Sequence, residues 1–202
     1  MATSAPTSAT PLLFLDVDGP LIPFGGPSHA YPTHPAWPGA PGEVANHPLL
    51  HRLDQRHGPR LSVLPCTLVW ATTWMSDANT HIAPRLGLPP LEVMHWPEPS
   101  TMDGPDGPTE QDERDERDER FGLHWKTRGL VSRAAGGPFI WVDDEITDAD
   151  RTWVFAHHPG PALLHRVDPR RGLADTDYAA LTDWLAAPSR QPSPWDPGSL
   201  VL

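Results

Sequence analysis

The sequence predicts an α/β fold built on a parallel sheet of about five strands, and three observations carry that prediction. Strands are read at 91–96 and 162–167, and apolar runs stand at 12–15, 67–71 and 139–142. The runs are continuous rather than alternating, which is the pattern of strands covered on both faces. Helix-like stretches separate them, and the three runs end in polar groups: Asp16-Val17-Asp18-Gly19, Thr72-Thr73 and Asp143-Asp144-Glu145. In such sheets ligands collect at the carboxyl ends of the strands.

The elements follow in order. Residues 1–10 are mostly Ala, Ser, Thr and Pro, a composition unable to bury a core, and are expected to form a disordered arm. After the first strand, residues 20–42 hold repeated Pro and Gly with His29, Tyr31, His34 and Trp37, which suits either an irregular flap or a plain surface loop. Asn46 and Pro48 carry the signals of a helix start, with the helix running to His57 before Gly58-Pro59. A second helix is expected over 76–85, stopped before Gly87 and Pro89-Pro90. Residues 97–121 form an acidic insert: a Pro/Gly stretch, then Asp-Glu-Arg repeated three times over 112–120, read as a solvated helix or a mobile segment. Helices are expected over 126–135, 149–158 and 175–187, and residues 188–202 are a Pro- and Ser-rich tail.

The chain of 202 residues suits one domain, spanning 11–187. Its single cysteine, Cys66, allows no internal disulfide, and no signal segment or 18-residue apolar stretch stands out. A cytoplasmic protein without a membrane span is the expectation. The net charge of -11 disfavours nucleic acid as a partner, because such binding draws on Lys and Arg against phosphates. More than half of that charge sits in 103–120, so a small phosphorylated substrate is still easily admitted. Oligomeric state is not legible. The eleven histidines show no HExxH or Cys/His spacing, which gives zinc little support.

Side chains alternate along a strand, so Asp16 and Asp18 point to one side while Val17 points to the other. Two acids so placed repel unless a cation sits between them. Along the chain the order is acid pair, hydroxyl, Lys126 opening a helix, acid pair. This order resembles the four motifs of the haloacid dehalogenase superfamily of phosphohydrolases. Val69-Trp70-Ala71-Thr72 and Asp-Val-Asp-Gly-Pro-Leu also look like a small group of such domains associated with bacterial RNA-repair proteins. The resemblance implies a Rossmann-like three-layer sandwich and, with insertions this short, no large cap domain. It departs at Pro20, where the superfamily usually has Thr or Val, so a backbone N–H is missing just after the phosphate-facing turn.

It further implies a Mg2+-dependent phosphatase working through an aspartyl-phosphate. Asp16 would be the nucleophile and Asp18 the general acid and base. Thr72, with Thr73 as the competing hydroxyl, would bind the phosphoryl group. Lys126 would restrain both anions. Asp16, Asp144 and the backbone carbonyl of Asp18 would hold the metal, with Asp143 orienting Lys126 or a metal-bound water. Asp148 would either support the metal site or cap the following helix. A nucleic-acid end phosphatase and a binding module that has lost turnover are the alternatives. Lys126 is the only lysine among fourteen arginines, which suggests that a compact ammonium is required there. Of the nine tryptophans, Trp74, Trp96 and Trp125 adjoin these positions; core packing is the default reading, and stacking on a flat leaving group follows if one of them lines the mouth.

Overall fold

A computed structural model describes residues 9–34, 49–96 and 117–188. Five strands form one all-parallel sheet: β1 (Leu12–Leu15), β2 (Thr67–Trp70), β3 (Glu92–Val93), β4 (Phe139–Asp143) and β5 (Ala162–Arg166), in the order β3-β2-β1-β4-β5. The helices are α1 (His57–Ser62), α2 (Ala83–Leu86), α3 (Thr127–Ala134), α4 (Asp148–His157) and α5 (Asp175–Ala186). The fold is α/β and Rossmann-like, and no large cap lies among the described residues. None of their helices is long and apolar enough to cross a membrane.

The alternation of each strand sorts its side chains between two cores. Leu13, Leu15, Trp70, Ile140 and Val142 pack on one face with Leu61 of α1, Leu86 of α2 and Tyr178, Leu181 and Leu185 of α5. Phe14, Val69, Phe139, Trp141 and Leu164 pack on the other with Leu130 and Ala134 of α3 and Val154 of α4. These are the three layers. Burial on both faces is why the central strands β1 and β4 read as unbroken apolar runs up to their acids.

Strand order reverses beside β1: the chain moves outward through β2 and β3, then returns to lay β4 on the opposite edge of β1. The gap between β1 and β4 is therefore the topological switch point, where open parallel sheets place ligands. Leu15 pairs with Val142, so Asp16 and Asp143 follow side by side as both strands leave the sheet.

Several local expectations are corrected. Asn46 and Pro48 lie outside the described residues, and the helix ahead of β2 does not stop at Gly58-Pro59. It begins at His57 and runs through them, after a 3-10 turn at Leu50–Arg52. Pro59 falls in the first turn, where a missing N–H costs nothing. A Cβ on Gly58 would meet the Leu86 carbonyl at 1.6 Å, so that glycine lets α1 close on α2. Over 76–85 the chain is a π-helical stretch, Ala78–Ile82, leading into α2. Pro84 cannot donate to the carbonyl four residues back, and the widened turn precedes it. The strand expected at 91–96 has only the two residues of β3.

Residues 20–34 are irregular apart from a 3-10 turn at Ser28–Ala30, and they start in the core, with Leu21 and Ile22 buried. The rest of the expected flap, including Trp37, lies outside the described residues, as do 1–8, 97–116 and 189–202. Of the acidic repeat, residues 117–120 form a helical turn that Asp118 ties to Arg128 of α3.

Candidate active site

Four elements converge at the switch point. Asp16 continues the face of Phe14, and Asp143 that of Trp141, which is the face covered by α3. Lys126 is the N-cap residue of α3 and reaches in from the same side. Its Nζ lies 3.0 Å from Asp16 Oδ2 and 2.8 Å from Asp143 Oδ2, with the lysine only 2 % exposed. The lysine bridges the two strand ends.

Asp143 has its carboxylate fully engaged. Oδ2 accepts from Lys126 Nζ and from Trp141 Nε1 at 3.1 Å, and Oδ1 accepts from the Glu145 amide at 3.0 Å. Its geometry is that of a residue that orients the lysine. Asp16 accepts from the Val17 amide at 2.8 Å through Oδ1. Carboxylate oxygens of Asp16, Asp143 and Asp144 all lie within 4.8 Å of one another. Three acids against one ammonium leave a surplus of negative charge in a buried place. Hard oxygen donors in that arrangement suit a small divalent cation.

The electrostatics follow from this crowding. Burial pushes the Asp16 carboxyl up to about 7; the Lys126 ammonium pulls it down and the Asp143 carboxylate pushes it up. Asp144 is raised to about 6, by burial first and by Asp143 second. Burial works to lower the Lys126 pKa, yet Asp16 and Asp143 outweigh it and the ammonium is held more firmly than usual.

Gly19 makes the Asp144 position possible. Its φ is +83°, and a Cβ there would sit 2.3 Å from Asp144 Oδ1. The glycine thus serves both the turn and the close approach of the second acid pair to the first. Pro20 does not disrupt the loop. The amides of Leu21 and Ile22 both donate to the Val17 carbonyl, and the Pro20 carbonyl accepts from the Leu173 amide at 2.8 Å.

Asp18 lies outside the carboxylate cluster. Its Oδ2 accepts from Trp74 Nε1 at 3.0 Å, and its carboxylate is not grouped with those of Asp16, Asp143 and Asp144. Of the two hydroxyl candidates, Thr72 is buried and Thr73 exposed. Thr72 Oγ1 accepts from the Trp74 amide at 3.3 Å. Asp148 is neither a supporting ligand nor a cap: its side chain is 97 % exposed, and Thr147 caps α4 in a capping box with Asp150.

Three further residues shape the site without having been singled out in the sequence. Trp141 gives Asp143 its indole N–H. Buried Asp150 accepts from the His124 amide at 2.8 Å and the Thr127 hydroxyl at 2.5 Å, anchoring the segment that carries Lys126 to the start of α4. His124 Nδ1 accepts from the Lys126 amide at 3.2 Å, so the ring proton sits on Nε2 and faces Glu145 Oε2 at 3.0 Å. Only the Thr147/Asp150 spacing before an apolar stretch offered a signal for any of them.

Compared with known proteins, the chain matches no protein-family model, no curated protein and no solved structure.

Proposed function

We propose that the protein is a Mg2+-dependent phosphomonoesterase of the haloacid dehalogenase type, acting through an aspartyl-phosphate. The observation that supports it most is the bridge from Lys126 to Asp16 and Asp143 at the switch point, with Asp144 beside them. A structural ion pair needs one carboxylate. Two converging carboxylates and a third nearby concentrate charge, at a cost in stability that a catalytic or cation-binding role accounts for.

In this reading Asp16 attacks phosphorus, the bond from phosphorus to the ester oxygen breaks, and Asp18 gives that oxygen its proton. Water then attacks the aspartyl-phosphate, Asp18 takes its proton, and phosphate leaves with the Asp16 carboxylate restored. Lys126 holds the nucleophile in place and faces the phosphoryl oxygens, and Asp143 keeps the ammonium aimed. Trp74 fixes one oxygen of Asp18 and leaves the other for the leaving group. Asp16 and Asp144, with the Asp18 carbonyl, would hold Mg2+, which neutralises charge on carboxylate and phosphate alike.

The test is hydrolysis of p-nitrophenyl phosphate with and without Mg2+, comparing wild type with Asp16→Asn. Metal-dependent turnover, lost by at least about 10³-fold in the variant, is expected. Equal rates in the two proteins would remove Asp16 as nucleophile and the reading with it.

A further inference from the structure

Beside the lysine lies a feature that phosphate chemistry does not use. The Trp125 ring centroid is 5.5 Å from Lys126 Nζ, and the residue is 51 % exposed. Of the large apolar side chains left open among the described residues, it is the one that adjoins the site's charge. Two other rings also pack against it. Trp96 meets it edge-to-face at 4.9 Å and 80°, and the His124 ring lies near-parallel at 5.5 Å and 30°. Both supports are fixed to the catalytic edge. Trp96 Nε1 donates to the Thr72 carbonyl at 3.4 Å, and His124 is pinned through Lys126 and Asp150.

A solvent-facing indole wastes apolar area unless something covers it, and ordering it against two other rings gains nothing for phosphate binding. Its use is clear if the leaving group is flat and aromatic, because base–aromatic stacking is strong and tolerant of ring identity. We infer that Trp125 is a stacking platform for the leaving group, and that the substrates are phosphate esters carrying a flat aromatic ring of the nucleoside kind. The proposal rests on the phosphomonoesterase reading and narrows its substrate class. The ring would stand beside the phosphoryl group as Trp125 stands beside Lys126, its neighbour in sequence. An acidic chain, and one open tryptophan beside the lysine among the described residues, both fit a mononucleoside better than a polymer, which would need a row of cations along its backbone.

The test compares two esters that share a phosphorylated sugar and differ in the base. The ratio of kcat/KM for adenosine 5′-monophosphate to that for ribose 5-phosphate is measured in wild type, Trp125→Ala and Trp125→Phe, with thermal melting to check folding. Adenosine 3′-monophosphate is run in parallel to cover the other ester position. Wild type is expected to favour a nucleotide by about 10-fold or more, Trp125→Ala to bring the ratio close to one, and Trp125→Phe to restore much of it. A wild-type ratio near one, or a ratio unchanged in Trp125→Ala, overturns the platform while leaving the phosphatase standing. Absence of any Asp16-dependent turnover, p-nitrophenyl phosphate included, overturns both.

Discussion

At the scale of single residues, the site is governed by how closely charges are brought together. Asp144 reaches Asp16 only because Gly19 has no side chain in its path. Gly19→Ala adds a left-handed backbone penalty of about 1–2 kcal/mol to a direct overlap with the carboxylate. Lower thermal stability and weaker Mg2+ binding are expected together, and calorimetry on the purified variant reads both. The surplus negative charge makes a second expectation. Mg2+ at about 100 times its dissociation constant should stabilise the fold by ~2.7 kcal/mol, raising Tm by about 5–10 °C. Asp144→Asn should abolish most of that rise; an equal rise in the variant would place the ion elsewhere.

At the scale of elements, the lysine is delivered by a loop–helix junction that depends on α4. Asp150 sits inside the capping box of that helix, taking the Thr147 amide at 2.8 Å and its hydroxyl at 2.7 Å, and holds His124 and Thr127 as well. One carboxylate thus caps α4 and anchors the start of α3. Asp150→Ala strands several buried donors and should cost about 3–5 kcal/mol in urea unfolding. Thr147→Ala, which keeps the carboxylate, should cost only about 1 kcal/mol. Equal costs would show that Asp150 acts as a cap alone. This junction explains why the sequence reading located Lys126 but not its support: the 126–135 helix shows in local pattern, whereas the bond from Asp150 to His124 spans 26 residues.

At the scale of the whole molecule, a buried histidine on the opposite face links pH to stability. His57 Nδ1 is 2.9 Å from Tyr178 Oη, joining α1 to α5. Burial pushes its pKa from 6.5 down to about 4. The unfolded chain binds the proton that the folded chain refuses, so this contribution is present in full above about pH 6.5 and is lost as pH falls toward 4. The gap is worth about 3 kcal/mol. The raised carboxyls of Asp16 and Asp144 act in the opposite sense over an overlapping window, stabilising the fold as pH falls. The wild-type curve therefore mixes the two. His57→Gln separates them: its stability deficit at pH 7 should shrink markedly by pH 4.5 in denaturant titrations, and a constant deficit would mean that His57 titrates normally.

The sequence by itself determined the parallel sheet, the ends of its main strands and the convergence of Asp16, Lys126, Asp143 and Asp144. The sheet and its strand ends rest on continuous apolar runs, which are local, whereas the grouping of Lys126 with the acids rests on the order of the motifs and the family that order resembles. Asp18 shows where locality runs out: the partner of its side chain, the Trp74 indole, lies 56 residues further on. The helix ahead of β2 failed for a related reason, since Gly58-Pro59 reads as a stop until the backbone of α2 packs against it. Asp148 and Asp150 are alike as letters, and only the turn of α4 decides that one faces water and the other is buried. Tertiary structure alone decided which tryptophan stays open beside the lysine, because exposure is what remains after every other surface has been packed.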